Sequence, residues 1–86
     1  MGTSKIERPE RLAEKLRRIR LKLGLSQPKM AEALERYGVK MYPGYIGSYE
    51  IKARVPSFLV VLAYAKLARI STDVIIDDEK DLPKGF

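Results

Sequence analysis

Apolar residues fall along the chain at helical rather than strand spacing. Leu12, Leu16, Ile19 and Leu23 recur at steps of four, three and four, which puts them on one face of a helix. Arg11, Glu14, Lys15, Arg18 and Lys22 lie mostly outside that stripe and are expected to face solvent. Pro9 suits a first turn and Gly24 the residue just past a last one, so the first helix is predicted over 9–23. Ser26 is a good N-cap for a second helix. Pro28 falls in its first turn, where the missing amide would have been unpaired anyway. Met30, Ala31 and Leu34 supply its apolar face, and Gly38 is a natural stop, giving a helix over 27–37.

Pro43 is expected to open a third helix with Ile46 and Tyr49 facing inward. Gly44 and Gly47 each weaken it by about 1 kcal/mol relative to Ala, so it must lean on tertiary packing. Pro56-Ser57 starts a fourth helix, and the run "FLVVLAYA" that follows is apolar all round. A helix like that needs cover on more than one side. Either it lies at the centre of the bundle, or Val60, Val61 or Tyr64 meets a second subunit. Ser71 caps a short fifth helix, Thr72–Ile76, with Asp73 near its positive end. Nothing in the chain alternates as a strand would. The predicted fold class is all-α, a compact five-helix bundle. Its domain spans 9–76, between an N-terminal arm, 1–8, expected to be flexible, and an acidic C-terminal tail, 77–86, with Leu82 and Phe86 as apolar anchors.

Composition adds a direction. Net charge is +6, from 17 basic and 11 acidic residues. Residues 1–24 carry eight basic and three acidic side chains, residues 25–70 seven and three, and residues 71–86 two and five. A basic body with an acidic end points to a polyanionic partner, although ordinary solubility charge reads the same way. The chain has no Cys and no His. Disulfides, thiolate metal sites and the usual general base near neutral pH are thereby excluded. No cofactor is expected, and no metal. The absence of Cys fits a cytoplasmic protein. No apolar run is long enough to span a bilayer, so no membrane partner is expected.

The segments "LRRIRLKLGLSQPKMAEAL" and "IGSYEIKARVPSFLVVLAYAKLARISTDVII" together resemble the phage-repressor and Cro-like helix-turn-helix family. The shared features are the Leu-Ser-Gln helix start with Ala31 one turn on, then Ile46, Tyr49-Glu50 and Pro56-Ser57. The resemblance implies that the second helix crosses a DNA backbone and the third enters the major groove. It also implies a structural ion pair between Arg20 and Glu50. The family's pattern is interrupted in three places. From Ala31 to Ile46 this chain takes fifteen steps where the family takes ten, an insertion within "ERYGVKMYP". Lys52 stands where the family often has a glycine that ends the third helix, so that helix is expected to end differently. Arg69 replaces a similar glycine between the fourth and fifth.

The resemblance also sorts candidate contacts to double-stranded DNA. Gln27 opens the second helix where the family places a phosphate-contacting amide, and the helix's free N–H groups would add to it. Lys29 stands nearby. Lys52 and Arg54 follow the third helix, where family members grip phosphate, and Lys40 is a new cation in the insertion. Positions of base reading fall on Tyr42, Pro43 and Gly44, with Tyr45 and Ser48 following on the exposed face. No Arg, Gln or Asn stands between residues 41 and 49, so the usual bidentate readers are missing. Tyr42 and Tyr45 read equally well as core.

The function expected is a sequence-specific DNA-binding transcriptional regulator acting as a homodimer. The alternative is a protein-interaction module, an antitoxin or adaptor, that kept the fold and lost DNA reading. An enzyme is disfavoured, because neither a phosphate-cradling glycine loop nor a paired acid motif is present.

Overall fold

The computed structural model describes residues 9–86, and the expected arm at 1–8 lies outside the described residues. The protein is all-α: α1 is Leu12–Leu23, α2 Gln27–Glu35, α3 Tyr45–Glu50, α4 Phe58–Ala68 and α5 Thr72–Ile76. Among the described residues there is no strand. α1 packs on α3, α4 and α5, while α2 packs on α3 and α4. Leu16, Ile19, Met30, Leu34, Tyr64 and Ile75 are fully buried where these helices converge.

Local chemistry accounts for most helix ends. Ser26 Oγ accepts from the Lys29 amide, and Ser57 Oγ from the Val60 amide, as N-caps do. Gly24 closes α1 in the left-handed region at φ 74°. α2 stops at Glu35, two residues earlier than predicted. Beyond it, i→i−3 bonds from the amides of Arg36, Tyr37 and Gly38 tighten the chain into a turn.

Two other helix starts differ from expectation. α3 begins at Tyr45, because Pro43-Gly44 forms a turn and Gly44 takes φ 85°. α1 begins at Leu12 rather than in a first turn at Pro9, and its N-cap residue, Arg11, brings no capping side chain. The cap comes from the far end of the chain. Asp78 accepts from the backbone N–H groups of Arg11, at 3.0 Å, and Glu10, at 2.8 Å. Those two amides hold the Asp78 carboxyl below its ordinary pKa.

Residues 77–86 form a strap along α1. Leu82 is buried in the core and Phe86 packs partly against it, so both expected anchors hold. Arg11 reaches the Asp78 carbonyl and the Asp81 carboxylate, and Arg18 donates to the Phe86 carbonyl. Lys15 corrects the sequence reading most. Instead of facing solvent it is fully buried. Its Nζ donates to the carbonyls of Val74, Asp77 and Lys80 at 2.9, 2.9 and 2.6 Å. One ammonium thus ties the end of α5 to the strap through three carbonyls, two of which also accept the Lys80 amide and Arg11 Nη1. Burial first, then the Arg11 charge, lowers its pKa from the ordinary lysine value, while Asp78, Asp81 and Asp77 act in the opposite sense.

α4 settles the two readings of "FLVVLAYA". Val60, Val61 and Tyr64 are buried in the chain's own core, so they are not the residues left to meet a second subunit. Phe58, Leu59 and Leu62 are the exposed ones, Phe58 at 79%. Residues Lys52 and Arg69 both adopt left-handed backbone, at φ 67° and 61°. The expectation that α3 would end differently for lack of a glycine is therefore overturned. The ordinary left-handed ending forms, at a cost of about 1–2 kcal/mol for each non-glycine residue.

Candidate nucleic-acid interface

The site is built around the contact between the start of α2 and the middle of α3. Arg20, near the end of α1, reaches under both. Its Nε and Nη2 donate to the two carboxylate oxygens of Glu50 at 2.7 and 3.0 Å, and its Nη1 to the Leu25 carbonyl at 2.9 Å. The pair is nearly buried on both sides. It ties together the end of α1, the α1–α2 turn and the end of α3. Planar, two-pronged geometry of this kind fixes angle as well as distance. Gln27 joins it from α2, with Nε2 3.4 Å from Glu50 Oε1.

Gly47 explains how α2 comes so close. A Cβ placed there would lie 3.2 Å from Gln27 Oε1, so a side chain at 47 would force the Gln27 amide to move. The close approach is between α2 and α3 themselves. The free amides of α2 are also fewer than expected. Ser26 takes up the Lys29 amide with its side chain and the Met30 amide with its carbonyl, and Pro28 has none. By helix geometry the Gln27 amide remains.

Two grooves open beside this contact. One runs along α3 and is bounded by Arg17, Gln27, Gly44, Gly47, Ser48 and Ile51, with the Arg20–Glu50 pair in its floor. The second lies between α2 and the 41–47 segment and takes in Tyr42, Pro43 and Gly44. Of the residues singled out by sequence, Gln27, Gly44 and Ser48 share the first groove, while Gln27, Tyr42, Pro43 and Gly44 share the second. Lys29 is exposed beside Glu32, 3.7 Å away, and Lys40 is exposed in the connection. Neither belongs to the walls of either groove.

An aromatic strip borders the site. The Tyr42 and Tyr45 rings lie 5.1 Å apart, centroid to centroid, and Tyr45 and Tyr49 6.2 Å. The Arg54 guanidinium sits over Tyr45 at 3.9 Å from the ring centroid. Tyr45 is therefore half-buried against the core and holds Arg54, the core reading of the two that its position allowed. Ser48 is half-buried too, and its carbonyl accepts the amides of both Ala53 and Arg54. Those two bonds fold the chain back after α3 and carry Lys52 into its left-handed turn. The Lys52 ammonium lies 3.8 Å from a Glu10 carboxylate oxygen.

Two residues of the α3 groove escaped the sequence reading. Arg17 was not singled out, yet it stands one turn before Arg20 on the same side of α1, and that i, i+3 spacing was the available signal. Ile51 is 75% exposed at the end of α3. A large apolar side chain left in solvent beside a polar helix face is the kind of signal that only coordinates give. Among the described residues no three acidic side chains gather as metal ligands would, and no helix is long and apolar enough to cross a membrane. No protein family, curated protein or solved structure matches the chain.

Proposed function

We propose that the chain is a sequence-specific double-stranded DNA-binding transcriptional regulator of the phage-repressor-like helix-turn-helix type, acting as a homodimer. The observation that carries this reading is the Arg20–Glu50–Gln27 junction, which locks the start of α2 across α3 and leaves the α3 side open between cations. In this reading α3 enters the major groove and the start of α2 rests on phosphate through the Gln27 amide. Arg17, Lys52 and Arg54 flank α3 and neutralise phosphates, with Lys29 and Lys40 further out. Base edges are read by the Ser48 hydroxyl and the Tyr42 phenol, with Ile51 against a thymine methyl. Pro43 and Gly44 shape the approach without reading.

Selection of bound duplexes from a random pool tests this reading directly. A palindromic consensus is expected, with affinity falling steeply as salt rises. Lys52→Ala and Arg54→Ala should weaken every duplex alike and reduce the salt slope by about one each. Ser48→Ala, Tyr42→Ala and Ile51→Ala should change which sequence wins. Weak, uniform binding to all duplexes would reject sequence reading.

One observation favours a second reading. Phe58, Leu59 and Leu62 leave an apolar ridge on α4. In a homodimer that ridge is the contact between copies. In a protein-interaction module it docks another protein, and duplex selection returns nothing. Sedimentation of the pure protein separates the two, since a Phe58→Asp variant should shift dimer to monomer in the first case only.

A further inference from the structure

The groove between α2 and the 41–47 segment shares Gln27, Tyr42, Pro43 and Gly44 with the proposed DNA contacts, and its inner wall has a chemistry of its own. It measures about 370 Å³, within the range of small-ligand sites. The connection 36–44 creates it. α2 ends at Glu35, the chain turns away, and Met41 returns against the helix, tied by its amide to Glu35 Oε2 at 3.2 Å. Ala31, Met41 and Ile46 provide apolar surface, and Pro28, Pro43 and the half-exposed ring of Tyr42 extend it.

The lining carries charge of one sign. In a chain of net charge +6, the charged side chains among the described residues that line this groove are Glu32 and Glu35, one turn apart on α2. Lys29 lies 3.7 Å from Glu32, but both side chains are about two-thirds exposed, and a solvated pair of this kind holds its partner weakly. Glu35 uses one oxygen on the Met41 amide and keeps acceptor capacity on the other. A tyrosine ring face adds attraction for a cation. Anions are repelled here, and a purely apolar molecule would leave the carboxylates unused.

We propose that this groove binds a small organic cation with an apolar body, an arylalkyl ammonium in chemical class, its ammonium against Glu32 and Glu35 and its ring over Ala31, Met41 and Ile46. The site stands whether or not the chain binds DNA. Because Gln27, Gly44 and Gly47 border both grooves, an occupant would also touch the wall of the candidate interface.

Nitrogen-15 amide spectra of the full chain, titrated separately with phenethylammonium, 3-phenylpropanoate and 2-phenylethanol, test it. Phenethylammonium should shift the amides of Ala31, Met41, Gly44 and Gly47 along a saturable curve. Its affinity should exceed that of the anionic and neutral probes by about tenfold, the difference of a cation–π contact and two carboxylates. Glu32→Gln, an exposed change that leaves the Met41 tether in place, should weaken it about two- to threefold. Glu35→Gln keeps an acceptor for that tether and should weaken it similarly. Equal affinity for the three probes would overturn the proposal. So would shifts confined to the Phe58–Leu62 ridge, no saturation by about 10 mM, or unchanged affinity in both folded variants.

Discussion

Basic side chains meet different neighbours at the two ends of the molecule. Along α1 and the strap, Arg11, Lys15, Arg18 and Arg20 point at carbonyls and carboxylates of their own chain. Around α3, Arg17 borders the open groove, Arg54 is exposed over the Tyr45 ring, and Lys29 and Lys40 stand out in solvent. The N-terminal residues hold the largest local excess of positive charge, yet much of it is structural. The smaller excess after Gly24 supplies most of the cations available to a partner. Net charge therefore says less than the question of what each cation already touches. A buried cation with a full set of acceptors organises the fold, whereas an exposed one remains free to organise a ligand.

The hardest blow to that contrast is Lys15→Met. The substitution keeps volume and removes the ammonium, taking one donor from each of three carbonyls; the Asp77 carbonyl keeps the Lys80 amide and the Lys80 carbonyl keeps Arg11 Nη1. At about 1–3 kcal/mol for a carbonyl that loses its partner, and less for the two that keep another donor, a total loss of about 3 kcal/mol is expected. In a domain of this size that is a fall in Tm of at least about 12 °C. Lys66→Met, at an exposed lysine of α4, should stay within about 0.5 kcal/mol. Thermal and urea unfolding followed by circular dichroism reads both. A Lys15→Met variant as stable as the parent would mean that Leu82, Phe86 and the Arg11, Arg18 and Asp78 bonds hold the strap without the ammonium.

Next in size is Glu50→Gln. The neutral amide keeps one acceptor for Arg20 but loses the charge and one prong, at a cost of about 2 kcal/mol in a nearly buried site. The same change should lower duplex affinity, because the junction that sets α2 across α3 loosens. Stability lost with duplex affinity retained would detach the junction from the DNA reading.

Tyr64→Phe should act in the opposite direction. The Tyr64 hydroxyl is buried without a hydrogen-bond partner, and burial raises its pKa well above the ordinary tyrosine value, with Glu50 adding to the shift. Removing an unsatisfied hydroxyl from a packed core should add about 1 kcal/mol in urea unfolding. A loss instead would mean that the hydroxyl has a partner in solution.

How far the sequence could be read follows from how local each cause is. Ser26, Ser57 and Gly24 act within one turn, and their roles were visible. Helix faces were visible for the same reason, including Ile46 and Tyr49 on a helix with two glycines. The Arg20–Glu50 pair needed the family resemblance, since thirty residues separate the partners. Lys15 could not have been placed. It lies between Leu12 and Leu16 at helical spacing, but a lysine reads as solvent-facing unless its acceptors are known, and those stand more than fifty residues away. The start of α1 was hidden likewise, because Asp78 sets it. Site residues in the connection 36–44 were the least legible. Helix ends there moved by two residues, and Tyr45, which read equally as core or as base contact, packs on the core and supports Arg54.

The smallest expected effect sharpens the contrast most. Lys52 and Arg69 share one backbone conformation, left-handed and costly for a residue with a Cβ, and both are basic. They differ in position. Lys52 closes α3 at the candidate interface, and Arg69 closes α4. Glycine at either site relieves about 1–2 kcal/mol of strain and adds about 0.5–1 kcal/mol of chain entropy to the unfolded state, so each variant should gain about 0.5–1 kcal/mol. The gains should match in urea unfolding. Duplex binding should not match: Arg69→Gly should leave affinity and salt slope as they were, and Lys52→Gly should lower both. Were the two variants to bind alike, Lys52 would be an accident of helix termination, and the cations around α3 would have no more claim on phosphate than those under the strap.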